Sequence, residues 1–125
     1  MDLIEIWHNP RCSKSRATLA LLEAQGHAPR IRRYLDEPPS AEALRQAQGA
    51  LGLRAIDMMR PGEALFAELG LSRDMDDTQL IEAMAAHPKL IERPIVLCRG
   101  RAAIGRPPER VLDILGGLCT PPETA

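Results

Sequence analysis

Residues 3–26 read LIEIWHNPRCSKSRATLALLEAQG, and the architecture of the chain follows from this stretch. Its first five residues are mostly apolar and predict a largely buried strand. From Thr18 onward, apolar residues recur at helical spacing until Gly26, which ends the predicted helix. Cys12 therefore lies in a strand-to-helix turn, beside the N-terminus of the first helix.

The start of this helix carries an unusual charge pattern. First turns commonly hold Asp or Glu, whereas here Arg11, Lys14 and Arg16 surround Cys12. These cations oppose the helix dipole unless an anion occupies the site, either the thiolate of Cys12 or an oxyanion substrate. A lone cysteine is most often a small buried hydrophobe. The cations, the helix start and the neighbouring His8 together favour a reactive thiolate instead.

The composition indicates one compact domain of an ordinary globular kind. The chain has 125 residues, enough for a real core, and its net charge of −1 argues against a general nucleic-acid or anionic-membrane binder. No stretch approaches a membrane span, and the first residues lack the basic start of a signal peptide. We predict a single domain over residues 1–117 and a flexible tail over residues 118–125.

The three cysteines, at positions 12, 98 and 119, are an odd number and do not resemble a disulfide framework. Their spacing does not suggest a metal site either, and a reducing cytoplasm fits them better. Cys98 ends an apolar strand, where we expect it to pack, and Cys119 lies in the tail. Ser15 occupies the place of the second cysteine in a Cys-x-x-Cys motif.

The remaining chain predicts a small mixed sheet covered by helices. A second strand at 31–35 completes a βαβ unit with parallel strands. Residues 40–86 predict a wholly helical insertion that begins after Ser40, a good N-cap. Strands return at 94–98 and 101–105, joined by a two-residue turn, and a last helix follows. This order predicts an α/β fold of the thioredoxin/glutaredoxin-like, three-layer kind, with βαβ and ββα units.

Three arginines lie beside prolines at the ends of predicted elements. Arg60 precedes Pro61, which suits the first position of a short helix, Arg93 precedes a strand and Arg106 follows one. Side chains at such termini can converge on a site built by turns. Guanidinium groups bind tetrahedral oxyanions through paired N–H donors. Each arginine alone is more often a solvated surface residue, and their spacing does not by itself bring them to Cys12.

Four ordered segments of the sequence resemble the glutaredoxin-linked arsenate reductase family, whose members are ArsC-like proteins with a thioredoxin fold. The match runs from about Ile4 to Leu115. It rests on the segments NPRCSKSR (9–16), MRPGE (59–63), IERPI (91–95) and IGRP (104–107). The first segment is similar to the active-site loop of that family, with His8 beside it.

The resemblance implies a role for each of these segments. Cys12 would be the catalytic nucleophile, and Arg60, Arg93 and Arg106 would bind the oxyanion. The supporting residues would be His8, Ser15 and Arg16. The family also suggests that the Arg93–Pro94 peptide bond is cis, which proline permits at modest cost.

The function implied is the reduction of arsenate to arsenite, an arsenic-detoxification activity. Its reductant would be glutathione, its protein partner glutaredoxin, and it would need no bound cofactor. Two alternatives stay open. One is a glutathione-dependent thiol-disulfide reductase that also uses Cys12. The other is a non-enzymatic redox-sensing regulator that binds RNA polymerase; many such relatives carry Cys-x-x-Cys, so Ser15 counts against it.

Overall fold

A computed structural model of the chain describes residues 4–98 and 100–115, with the side chains of residues 113 and 115 excepted. The chain forms two compact units. The sheet unit comprises Met1–Arg33 with Arg93–Ala125, and the helical unit comprises Tyr34–Glu92. Within the described part of the chain, no helix is both long and apolar enough to cross a membrane.

The described elements follow the predicted order of strands and helices. They are β1 (Ile4–Trp7), α1 (Ser13–Ala24), β2 (Arg30–Arg32), α2 (Ala41–Leu51), α3 (Ala64–Glu68), α4 (Asp77–Ala86), β3 (Ile95–Cys98), β4 (Arg101–Ile104) and α5 (Leu112–Leu115). Short 3₁₀ helices lie at Ala55–Met58, Pro88–Leu90 and Pro108–Val111.

The sheet unit contains a four-stranded mixed sheet in the order β2-β1-β3-β4. β1 runs parallel to β2 and antiparallel to β3, and β3 runs antiparallel to β4. The central pair is in register with Trp7 opposite Ile95 and Ile4 opposite Cys98. This arrangement is the predicted α/β, thioredoxin-like fold, so the fold class is confirmed.

The core of the sheet unit joins the central strands to α1 and to the C-terminal helices. Its buried members are Ile4, Ile6, Leu22, Val96, Cys98, Val111 and Ile114. Leu22 and Ile6 are fully buried, so α1 packs firmly against the central strand β1. This packing fixes both ends of the turn that carries Cys12.

The main helices of the helical unit begin and end at the expected capping residues. The Ser40 side chain accepts a hydrogen bond from the Ala43 N–H at 3.1 Å, and Gly52 ends α2 in the left-handed region at φ 68°. The carboxylate of Asp77 in α4 accepts hydrogen bonds from Gln48 Nε2 at 2.7 Å and from the Ala55 N–H at 3.3 Å. The regular elements described between residues 40 and 86 are helices, apart from an isolated β-bridge at Met59. The predicted insertion over residues 40–86 stays a prediction.

Two predicted boundaries are wrong, and each has a local cause. β2 covers Arg30–Arg32 rather than residues 31–35, because the backbone turns at Tyr34, whose side chain is buried. Pro61 does not begin a helix. The Glu63 N–H donates to the Arg60 carbonyl at 3.0 Å and closes a turn with Pro61 at its second position.

The predicted packing of Cys98 is confirmed, but the expectation that the cysteines form no disulfide is wrong. Cys98 is buried in the core of the sheet unit and is disulfide-bonded, whereas Cys12 is a free cysteine. Cys119 and the predicted tail over residues 118–125 lie outside the described residues. The predicted single domain over residues 1–117 stays a prediction.

Candidate active site

The segment from Asn9 to Cys12 forms a tight turn between β1 and α1. The Cys12 N–H donates to the Asn9 carbonyl at 3.0 Å, with Pro10 at the second position, where its fixed φ favours such turns. The Asn9 side chain accepts from the Arg11 N–H at 3.0 Å, and Arg16 Nη1 donates to the Pro10 carbonyl at 2.8 Å. These hydrogen bonds hold Cys12 at the start of α1, which is the predicted position.

Cys12 is the N-cap residue of α1 and is buried. Burial by itself raises the pKa of the thiol, but the backbone N–H of Ser15, the Arg93 guanidinium and the N–H of Lys14 together lower it below its usual value. The side chain does not close a full capping hydrogen bond. A thiolate would nevertheless occupy the place where a capping oxygen normally accepts such N–H groups. This lowering has the same direction as the predicted preference for the thiolate.

His8 and Ser15 form a buried pair behind the turn. The Ser15 Oγ lies 2.6 Å from His8 Nδ1 and accepts a hydrogen bond from the Asn9 N–H at 3.0 Å. Burial, followed by the charges of Arg33 and Arg16, lowers the pKa of His8, which favours the neutral ring. When the hydroxyl proton of Ser15 points to Nδ1, Nδ1 is the acceptor and Nε2 carries the ring N–H.

This pair links the end of β1 to the first turn of α1. The backbone N–H of His8 donates to the Arg32 carbonyl at 2.8 Å, which continues the pairing of β1 with β2. Ser15 is completely buried, so its hydroxyl serves as an internal hydrogen-bonding group. The contacts of both residues therefore support the loop that presents Cys12.

Arg93 and Arg106 approach Cys12 from the same end of the β3–β4 hairpin. Arg106 Nη2 lies 3.8 Å from Cys12 Sγ, and Arg106 Nε donates to the Arg93 carbonyl at 2.8 Å. The Nε and Nη1 atoms of Arg93 are buried. Because Ile95 pairs with Ile104, the residues that flank this pair lie at one edge of the sheet.

Each of these arginines precedes a cis proline. The Arg93–Pro94 bond is cis as predicted, and the Arg106–Pro107 bond, for which no isomer was expected, is cis as well.

Arg60 belongs to the helical unit. Its Nη1 forms an ion pair with Glu63 Oε2 at 3.0 Å, and its N–H donates to the Leu90 carbonyl at 2.8 Å. Its predicted role in binding the oxyanion beside Cys12 stays a prediction. Among the described residues, no group of three or more His, Cys, Asp or Glu side chains could hold a metal ion.

Two residues of this site were not predicted. The Asn9-Pro10 pair is a recognised turn signal, so the structural role of Asn9 could have been found in the sequence. Thr18 is fully buried and faces Gly105. No local pattern indicates this pairing, because the two residues are far apart in the sequence.

Comparison with known proteins identifies relatives that match most of the chain. The ArsC family model matches residues 7–114. The chain is 50% identical over 117 residues to an arsenate reductase of Neisseria meningitidis serogroup A, covering 92% of this chain and 100% of the relative. It is 46% identical over 112 residues to an arsenate reductase of Haemophilus influenzae, covering 88% and 97%. A solved structure of an arsenate reductase from Vibrio cholerae superimposes with a TM-score of 0.87 at 55% identity, covering 90% and 97%.

The environment of Cys12 predicts a thiol that ionises early. We expect the rate of alkylation by iodoacetamide, followed on the peptide that contains Cys12, to rise with a midpoint below the free-cysteine value of about 8.5. The N–H groups and the guanidinium act only in the folded chain, so the same measurement in guanidinium chloride should return the midpoint to about that value. Equal midpoints in the two states would contradict the assignment.

Proposed function

The chain belongs to the ArsC family, and from this premise we propose that it is an arsenate reductase with Cys12 as its nucleophile. The observation that carries the proposal is the position of Arg106 Nη2, 3.8 Å from the sulfur of a cysteine whose pKa is lowered. A thiolate beside guanidinium groups is suited to react with a tetrahedral oxyanion. The names of the relatives indicate that this oxyanion is arsenate.

Arginine is required here because both reactants are anions. Arsenate and the Cys12 thiolate repel each other unless cations lie between them. The guanidinium groups of Arg93 and Arg106 can donate paired hydrogen bonds to arsenate oxygens. They also withdraw charge from the arsenic atom, which makes it a better electrophile and stabilises the developing negative charge during attack.

The reaction proceeds by covalent catalysis, in which a substitution at arsenic is followed by a single two-electron reduction of arsenic. The Cys12 sulfur attacks arsenic, a bond from arsenic to oxygen breaks, and water leaves after protonation. An external glutathione thiolate then forms a disulfide with the Cys12 sulfur, while arsenic accepts two electrons and leaves as arsenite. Glutaredoxin and a second glutathione reduce this mixed disulfide, which restores the Cys12 thiol and produces glutathione disulfide.

In the described part of the chain, no second thiol is placed to resolve an intermediate on Cys12, which favours an external thiol. Ser15 has a hydroxyl in place of a resolving thiol. Cys98 pairs with Ile4 at the beginning of β1, whereas Cys12 follows the end of that strand. The length of the strand, roughly 10 Å, exceeds the Cα separation of about 7 Å that a disulfide allows. Glutathione and glutaredoxin are the external thiols that the family resemblance implies.

A cytoplasmic location is part of this proposal, because the glutathione and glutaredoxin couple operates there. The cysteine pattern does not support it independently. Cys98 is disulfide-bonded, and structural disulfides are rare in compartments that glutathione keeps reduced. The proposed location therefore depends on the identity of the reductant.

The proposal is tested by oxidation of NADPH in a mixture of the protein, glutathione, glutaredoxin and glutathione reductase. We expect the rate to depend on added arsenate and to fall to background in Cys12→Ser, since a hydroxyl is far less nucleophilic at neutral pH. Circular dichroism checks that the variant is folded. Turnover of a glutathionylated peptide together with indifference to arsenate would favour the thiol-disulfide reductase instead.

The oxyanion assignment predicts that Arg→Lys variants at the three oxyanion-binding positions lose more activity than Arg→Lys variants at exposed control positions. Lysine keeps the charge but loses the planar fork, so kcat/KM for arsenate should fall roughly 10-fold or more at Arg60, Arg93 and Arg106, from lost charge-assisted hydrogen bonds. The matched controls are Arg45 and Arg73, which are exposed and should change kcat/KM less than about twofold. Equal effects at all five positions would contradict the assignment. If Arg60→Lys changed kcat/KM no more than the controls do, only the assignment of Arg60 to oxyanion binding would be wrong.

A further inference from the structure

Gly105 lies between the end of β4 and Arg106. It is buried, and its N–H donates to the Pro94 carbonyl at 3.0 Å. Its φ lies outside the left-handed region, whereas Gly26, Gly52, Gly70 and Gly100 have positive φ values. The backbone at Gly105 is therefore open to any residue, and the requirement for glycine must come from its surroundings.

Those surroundings leave no room for a side chain. A Cβ atom at Gly105 would overlap Thr18 Oγ1 and would lie 3.0 Å from Pro94 Cγ and 3.2 Å from Thr18 Cγ2. Thr18 is fully buried, and its Oγ1 donates to the Lys14 carbonyl at 2.8 Å. The threonine cannot turn away without losing that hydrogen bond and a packed position.

This close contact joins the two elements that carry the reacting groups. Thr18 lies in α1, whose N-cap is Cys12, and Gly105 directly precedes Arg106. The contact therefore sets how near the helix with the sulfur lies to the turn with the guanidinium. Arg106 Nη2 is already 3.8 Å from Cys12 Sγ, a separation at which a small displacement loses the interaction.

We propose that Gly105 is a positioning residue: the absence of a side chain lets Thr18 pack on the turn and holds the Arg106 guanidinium at the Cys12 sulfur. Its effect on arsenate turnover rests on the proposed function, but its effect on the thiol does not. Thr18 is the second residue of this contact, since its Oγ1 and Cγ2 occupy the space beside Gly105.

The test is a set of variants measured by Cys12 alkylation against pH and by kcat/KM for arsenate. Gly105→Ala should raise the alkylation midpoint and lower kcat/KM about 100-fold, because a misplacement of about 1 Å has that cost. Adding Thr18→Ala removes the overlapped Oγ1 and the crowded Cγ2 and leaves only the Pro94 Cγ contact, so it should restore the midpoint and most of kcat/KM relative to Thr18→Ala alone. Adding Thr18→Ser keeps Oγ1 and should restore little. The control is Gly49→Ala, at a helical glycine with nothing within 4 Å, which should leave both readouts unchanged.

A double-mutant cycle separates positioning from a merely structural role. In an Arg106→Ala background, Gly105→Ala should shift the alkylation midpoint less than it does in the wild type. The Arg106 guanidinium is then gone, and only the Arg93 guanidinium, which also lowers the Cys12 pKa, can still be displaced. A full additional shift in that background would overturn the proposal. So would a Gly105→Ala protein with the wild-type midpoint, or equal rescue by Thr18→Ala and Thr18→Ser.

Two further outcomes distinguish a failure of the positioning role from a failure of the proposed function. If Gly105→Ala alone does not fold, the double variant with Thr18→Ala must fold with a near-normal midpoint, and its failure to do so counts against the proposal. If the midpoints behave as expected but none of the proteins turns over arsenate, the positioning role stands and the proposed substrate is wrong.

Discussion

The candidate site depends on the position of a cysteine sulfur at the start of a helix. α1 has no acidic residue in its first turn, and its N-cap is a cysteine rather than an oxygen-bearing residue. The N–H groups of Ser15 and Lys14 and the positive end of the helix dipole therefore act on Cys12. This constraint explains why a buried thiol is surrounded by basic side chains and why its ionised form is favoured.

The fold supplies the groups that such a sulfur needs from two distant parts of the chain. α1 packs on the central strand β1, so the position of Cys12 is fixed by the core. The arginines come from the hairpin of β3 and β4, and Arg106 is 94 positions from Cys12 in the sequence. The buried pair of His8 and Ser15 holds the loop between them. Packing throughout the sheet unit therefore supports the position of the Cys12 sulfur.

Local patterns predicted most of the elements, and the long-range contacts explain what they did not predict. The order of strands and helices, the Ser40 cap and the strand-to-helix position of Cys12 all depend on neighbouring residues, and these predictions are correct. Spacing alone could not bring Arg93 and Arg106 to the sulfur; the family resemblance indicated them. The contact of Gly105 with Thr18 depends on a distant partner, which no periodicity encodes. The disulfide state of Cys98 is likewise not indicated by its apolar strand pattern.

The measurement that tests the account most directly is the intact mass of the protein after incubation with glutathione and arsenate, without glutaredoxin. The account predicts that one glutathionyl group accumulates on Cys12 and that its formation requires arsenate, since arsenic must accept the two electrons that the new disulfide releases. Peptide mapping would locate the group. A glutathionyl group that forms equally well without arsenate, or that is attached to a different cysteine, would contradict the account.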